Sequence, residues 1–226
     1  MIQYKFIGDE GEILRYLGVK DNKEEEIKKE LYKIKEELKE IVRFRFIYDI
    51  FDIEIKEEGV LLKDYNIILR GEDIQSHLKE SNKCIIMGAT LGGEVDKKIN
   101  YYQKIDMFKA LIMNAGATAF IEEGCDFVEK LIRKEYCSSN EDITWRYSPG
   151  YGDLSLNIQG ELLKLLQKDK NIGLYLSESS MLIPKKSVTA IIGIISKEKR
   201  TNKRSCENCL SKNNCTYRKI GGSCEN

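Results

Sequence analysis

Apolar residues recur at helical spacing through the first 42 positions and change their rhythm after Arg43. Ile27, Leu31, Ile34, Leu38 and Ile41 follow one another at steps of four and three, which places them along one face of a helix. The Lys and Glu residues between them form a solvated face at pairing distances. Asp21 or Asn22 is positioned to cap this helix, which is expected to reach about Val42. Before it, Glu12 to Gly18 reads as a short helix stopped by glycine.

From Arg43 to Arg70 the pattern shortens towards alternation. Arg43-Phe44-Arg45-Phe46 and the Asp-Ile and Glu-Ile steps at 49–55 suit a strand. Val60-Leu61-Leu62 and Ile67-Ile68-Leu69 flank the turn Lys63-Asp64-Tyr65-Asn66, as in a hairpin. A short helix is expected over Glu72–Lys79, then a buried strand over Cys84–Ala89. Helical stretches follow from Glu94 to about Met113 and from about Ala115 to Lys134. Cys137 to Asp142 reads as a polar loop. A later helix carries Ile158, Leu162, Leu165 and Leu166, and two strands are expected at Ile172–Leu176 and Ser187–Ile195. Clustered rather than alternating strands and helices predict an α+β fold, with N-terminal helices and a mixed antiparallel sheet packed by helices.

Composition removes several classes of function. The 37 basic residues balance the 37 acidic ones, without the positive surplus that nucleic-acid binding by counterion release requires. No apolar run approaches the roughly 20 residues that span a bilayer. The start of the chain lacks the pattern of a signal peptide, so the protein is expected in the cytoplasm. Its one histidine, His77, excludes multi-histidine metal sites, and in the polar stretch Gln75–Lys79 it reads as a solvated residue. No Walker A or G-x-G-x-x-G pattern occurs.

The two prolines mark two unusual segments. Arg146-Tyr147-Ser148-Pro149-Gly150-Tyr151-Gly152 combines a fixed charge, a rigid proline and two permissive glycines around an aromatic ring. Such a loop offers a guanidinium for a carboxylate, a ring for stacking and backbone amides for a ligand. Leu176-Ser177-Glu178-Ser179-Ser180-Met181-Leu182-Ile183-Pro184 follows, and then Ser187-Val188-Thr189-Ala190.

In this order, over roughly residues 85–195, these motifs resemble the activation (reactivation) domain of vitamin B12-dependent methionine synthase. The chain's size is similar to that of stand-alone activation proteins accompanying a shorter synthase. The resemblance implies S-adenosylmethionine binding and reductive methylation of inactive Co(II) cobalamin, serving methionine biosynthesis as a component of a methyltransferase. It places Arg146, Ser148, Gly150 and Tyr151 at the S-adenosylmethionine site, with an acidic contact from an upstream helix best matched by Glu122. It also implies two partners: a cobalamin-binding methionine synthase subunit, and an electron donor such as a flavodoxin or ferredoxin. Corrinoid modules of this system ligate cobalt through a D-x-H-x-x-G loop; His77, in Ser-His-Leu, does not supply one, so the cobalamin is held by the partner. The chain departs from the family after Ile195, where the fused domain continues with aromatic residues and this one turns to the charged stretch 197–205.

The last residues carry a second pattern. Cys206, Cys209, Cys215 and Cys224 are dense enough in a cytosolic chain to suggest a metal centre rather than disulfides. Four thiolates suit zinc or an iron–sulfur cluster equally, and only the electron that reactivation consumes favours iron–sulfur. Cys84 reads as a buried small apolar residue. The expected organisation is an N-terminal helical segment (1–42), an activation-domain-like α+β core (43–196), and a charged linker with a metal-binding tail (197–226). Two other readings stay open at this level: a reactivator of another corrinoid methyltransferase, and a metal-stabilised interaction module without chemistry.

Overall fold

The computed structural model of the chain describes residues 4–18, 25–168 and 171–199. Helix α1 (Glu10–Leu17) opens on Asp9, whose carboxylate accepts the Glu12 amide at 2.9 Å, and closes on Gly18 at φ 70°. Helix α2 (Glu25–Ile41) buries Leu31, Ile34 and Leu38, the face its periodicity marks. There follow β1 (Arg45–Lys56), β2 (Gly59–Leu62), β3 (Ile67–Leu69), α3 (Glu72–Leu78), β4 (Lys83–Thr90), α4 (Gly93–Ile105), α5 (Met107–Tyr136) and β5 (Glu141–Ile143). The remainder is α6 (Gln159–Leu166), β6 (Tyr175–Leu176), β7 (Leu182–Ile183) and β8 (Ser187–Ser196), with single 3-10 turns at Leu156–Ile158 and Lys197–Lys199.

The six-stranded sheet has the order β3-β2-β1-β4-β8-β5, and β6 and β7 form a separate two-stranded one. The pairs β1–β2, β2–β3, β5–β8 and β6–β7 are antiparallel. Ile53 lies opposite Leu62 and Val60 opposite Leu69, so the hairpin brings buried residues together. The architecture is the α+β one expected. Cys84 is buried on β4, and burial pushes its thiol up to about 12.

The described residues fall into two compact units. One takes its residues from Met1–Asp49, Met87–Lys134 and Gln159–Thr189, the other from Ile50–Ile86, Glu135–Ile158 and Ala190–Asn226. In the first, Phe6 stacks on Phe120 with ring centroids 4.9 Å apart, and Tyr4 stacks on Phe127 at 4.5 Å. Leu163, Ile172 and Leu174 make a smaller cluster against which Ile47, Leu176 and Leu182 pack. In the second, Phe51, Ile53, Val60, Leu62, Ile74 and Leu78 are all buried.

Three boundaries differ from expectation. The helices expected to meet near Asn114 meet instead at Asp106. There an extended backbone, φ −159°, ends α4, and the Asp106 carboxylate accepts the Lys109 amide at 3.1 Å to start α5. Gly116 and Gly124 do not interrupt α5, because they are places of close approach: a Cβ would lie 2.7 Å from Leu38 Cδ1 and 2.5 Å from the Phe44 ring, respectively. The loop expected at 137–142 yields a short strand, β5, drawn into order by its pairing with β8. The strand expected over Ile172–Leu176 shortens to β6, because Ile172 and Leu174 go into the small apolar cluster instead.

Candidate ligand-binding site

The segment after β5 is fixed to β8 at two points. Thr144 donates its amide to the Gly193 carbonyl at 2.9 Å and accepts the Gly193 amide on Oγ1 at 2.8 Å. Tyr147 and Ile191 exchange both backbone bonds, at 3.0 and 2.8 Å. Arg146 is half-buried between these anchors.

Beyond Tyr147 the chain folds into two successive turns. The Tyr151 amide donates to the Ser148 carbonyl, and the Leu154 amide to the Tyr151 carbonyl, each at 3.1 Å, while the Gly150 amide donates to the Leu154 carbonyl at 2.9 Å. Gly150 stands at φ 88° and Gly152 at φ 51°, in the region that favours glycine. Pro149 is buried, and Tyr151 is 67% exposed. The loop therefore presents the Tyr151 ring to solvent, while Arg146 upstream is half-buried. The loop's composition predicts backbone amides available to a ligand. Those of Gly150 and Tyr151 are instead used within the turns, so Gly150 contributes space rather than a donor.

Helix α3 packs closely on this loop. Asp153 accepts the Glu72 amide at 2.6 Å and the Asp73 amide at 3.2 Å, capping α3 from 80 residues away in sequence. A side chain at Gly152 would run into the Asp73 carboxylate and the Tyr147 hydroxyl. That hydroxyl donates to the Tyr151 carbonyl at 3.2 Å; burial, with Asp73 and Asp153 nearby, pushes its pKa up to about 12. His77, at the other end of α3, lies 2.9 Å from Thr144 Oγ1 through Nε2. Its ring sits edge-on to Trp145 at 4.7 Å and tilted to Tyr147 at 5.1 Å. Burial lowers its pKa to about 4, with the Trp145 backbone pulling the other way. The expectation of a solvated histidine is thus corrected: His77 is half-buried and neutral. Asp153 follows the motif directly, but nothing local in the sequence announces that its partner is α3.

Glu122 lies on α5, in the other unit from the loop, and is half-buried. Burial, then the Glu122 charge, raises the pKa of Tyr16 on α1. Among the described residues no group of three or more His, Cys, Asp or Glu is placed to hold a metal ion. Cys206, Cys209, Cys215 and Cys224 lie outside the described residues.

Residues 74–205 match the family described as vitamin B12 dependent methionine synthase, activation domain, which is more than half of the 226 residues. The chain belongs to this family. Its fold is similar to that in the crystal structure of the MetH reactivation domain bound to AdoHcy, with a TM-score of 0.60. That likeness covers 96% of this chain and 78% of the other at 14% identity, so it speaks for the fold. No curated protein matches the chain. As an activation domain it is of a kind with a methyltransferase's component, and no described helix is long and apolar enough to cross a membrane.

Proposed function

We propose that this activation protein binds S-adenosylmethionine and supports the reductive remethylation of cob(II)alamin held by a partner, a cobalamin-dependent methionine synthase of the cytoplasm. One electron, from a donor of the flavodoxin or ferredoxin kind, takes Co(II) to Co(I). Co(I) displaces the methyl group from the sulfonium, giving methylcobalamin and S-adenosylhomocysteine. The chain's share is orientation and electrostatics, since the transfer needs no general base.

The observation that carries the reading is the Arg146–Tyr151 loop of a family member, in which Arg146 is half-buried and the Tyr151 ring is left open to solvent. Arg146 suits the ligand's carboxylate and Tyr151 its adenine ring, while Ser148 and Gly150 shape the approach. Glu122 suits the positive charges of the sulfonium and ammonium groups. Two further facts support a cobalamin held elsewhere: the chain has one histidine, and that histidine is packed against Trp145 with Nε2 engaged by Thr144. Calorimetry with S-adenosylmethionine and S-adenosylhomocysteine tests the ligand: saturable one-to-one binding is expected, and no heat with either compound contradicts it.

A further inference from the structure

Helix α3 carries none of the ligand residues proposed above, yet both of its ends are fastened to the segment that does. At one end Asp153, just past the loop tip, takes the first two amides of the helix at 2.6 and 3.2 Å. At the other, His77 meets Thr144 Oγ1 at 2.9 Å and lays its ring against Trp145 and Tyr147, the residues on either side of Arg146. Between them Asp73 occupies the space where Gly152 lacks a side chain.

The turns at 148–154 fix the loop's internal shape but not its orientation, because their bonds run within the loop itself. Orientation needs ties to other elements: the bonds of Thr144 and Tyr147 to β8 hold the start of the segment, and α3 holds the part beyond it. Asp153 supplies a charge-assisted one, a carboxylate facing the positive end of the helix. His77 supplies a packed one, neutral and partly removed from water.

We infer that Asp153 and His77 are positioning residues for the Arg146–Tyr151 loop, tying it to α3 and thereby setting how tightly S-adenosylmethionine is held. The inference rests on the reading of that loop as the ligand site. The tie itself is a property of the empty protein and is measurable without ligand.

The test uses the full chain and three variants, Asp153→Ala, Asp153→Asn and His77→Phe. Hydrogen exchange is followed at the amides of Gly150, Tyr151 and Leu154, and S-adenosylmethionine affinity by calorimetry. Asp153→Ala is expected to speed exchange at those amides and to weaken binding, each about five- to tenfold, the scale of a lost helix cap. Asn caps nearly as well as Asp, so Asp153→Asn should recover most of both effects. His77→Phe, which keeps a ring but loses the Thr144 bond, should shift the emission of Trp145, the chain's one tryptophan, and weaken binding less than Asp153→Ala. An ordinary loss of stability would instead speed exchange in β2 and β3 as well, and that uniform result would overturn the positioning role. So would faster loop exchange with unchanged affinity, or wild-type behaviour of both Asp153→Ala and His77→Phe in the two readouts. Should Asp153→Ala not fold, His77→Phe carries the same comparison. A wild type that binds no S-adenosylmethionine would sink the ligand reading, while the exchange data would still decide whether α3 holds the loop.

Discussion

The amide of Gly8 donates to the Glu123 carboxylate at 2.9 Å, and that carboxylate also takes the Ile7 amide at 2.8 Å and the Tyr4 hydroxyl at 2.9 Å. Burial and this charge push the Tyr4 phenol up to about 12. Glu123 thus fastens residues 4–8 along α5, while its neighbour Glu122 raises the pKa of Tyr16. Adjacent carboxylates have different work. Glu123→Ala is expected to cost about 2–3 kcal/mol, the scale of hydrogen bonds to a charged group. Urea titration measures this, and an unchanged midpoint would refute the role.

Arg146→Ala should weaken S-adenosylmethionine binding by about 1.5–3 kcal/mol, again the scale of charged hydrogen bonds. Unchanged affinity in a folded variant would remove Arg146 from the site. Gly150→Val should also weaken binding, through its backbone rather than by collision. At φ 88° a β-branched residue is strained, whereas the nearest atom to an added Cβ, Leu156 Cδ1, stands at an ordinary 3.4 Å.

Gly124→Ala sets helix propensity against packing. Alanine gains about 1 kcal/mol in a helix interior. Its Cβ would lie 2.5 Å from Cε2 of Phe44, whose rigid ring has no flexible end to move aside. Overpacking of this kind costs typically about 1–3 kcal/mol, so the variant should be no more stable than wild type and less stable if the ring cannot shift. A clear rise in melting temperature would show that α5 has more room than its geometry allows.

His77 gives stability a pH dependence of known sign. Its folded pKa is about 4, below the ordinary 6.5, so the unfolded chain takes up a proton that the folded one resists. The contribution is complete above pH 6.5 and is lost as pH falls towards 4. It amounts to at most about 3 kcal/mol by the free energy of a pKa shift. His77→Phe should abolish this part of the slope. Unfolding free energies of both proteins at pH 7 and 4.5 provide the comparison, and identical slopes would contradict it.

Much of this was legible in the residues. The α2 face, the β2–β3 hairpin and the buried β4 follow from periodicity, and the two proline motifs carry the resemblance to the family. What was not legible depended on distant partners. Gly116 and Gly124 resemble helix breakers until Leu38 and Phe44 are seen to need their missing side chains. His77 sits among polar neighbours in sequence, but the strand pairing of Thr144 with Gly193 sets a hydroxyl against it. Asp153 caps a helix that begins 81 residues earlier.

The tail cysteines make a separate prediction. Cys206, Cys209, Cys215 and Cys224 are expected to bind one metal centre, with iron–sulfur favoured because a cluster relays electrons and zinc does not. Anaerobic purification, visible and paramagnetic-resonance spectra and metal analysis decide it. Colourless protein with stoichiometric zinc would retain the site and remove the relay. Neither metal, with four titrating thiols after attempted reconstitution, would remove both.

The central claim is tested most directly by following the cobalt. A cobalamin-loaded methionine synthase partner in the Co(II) state is mixed with a reductant and S-adenosylmethionine, with and without this chain, and its visible spectrum is recorded. The account predicts loss of the Co(II) spectrum and growth of methylcobalamin only when the chain is present, with S-adenosylhomocysteine formed in equal amount, and a slower rate with Arg146→Ala. Methylcobalamin formation at the same rate without the chain, or none with it, would contradict the account.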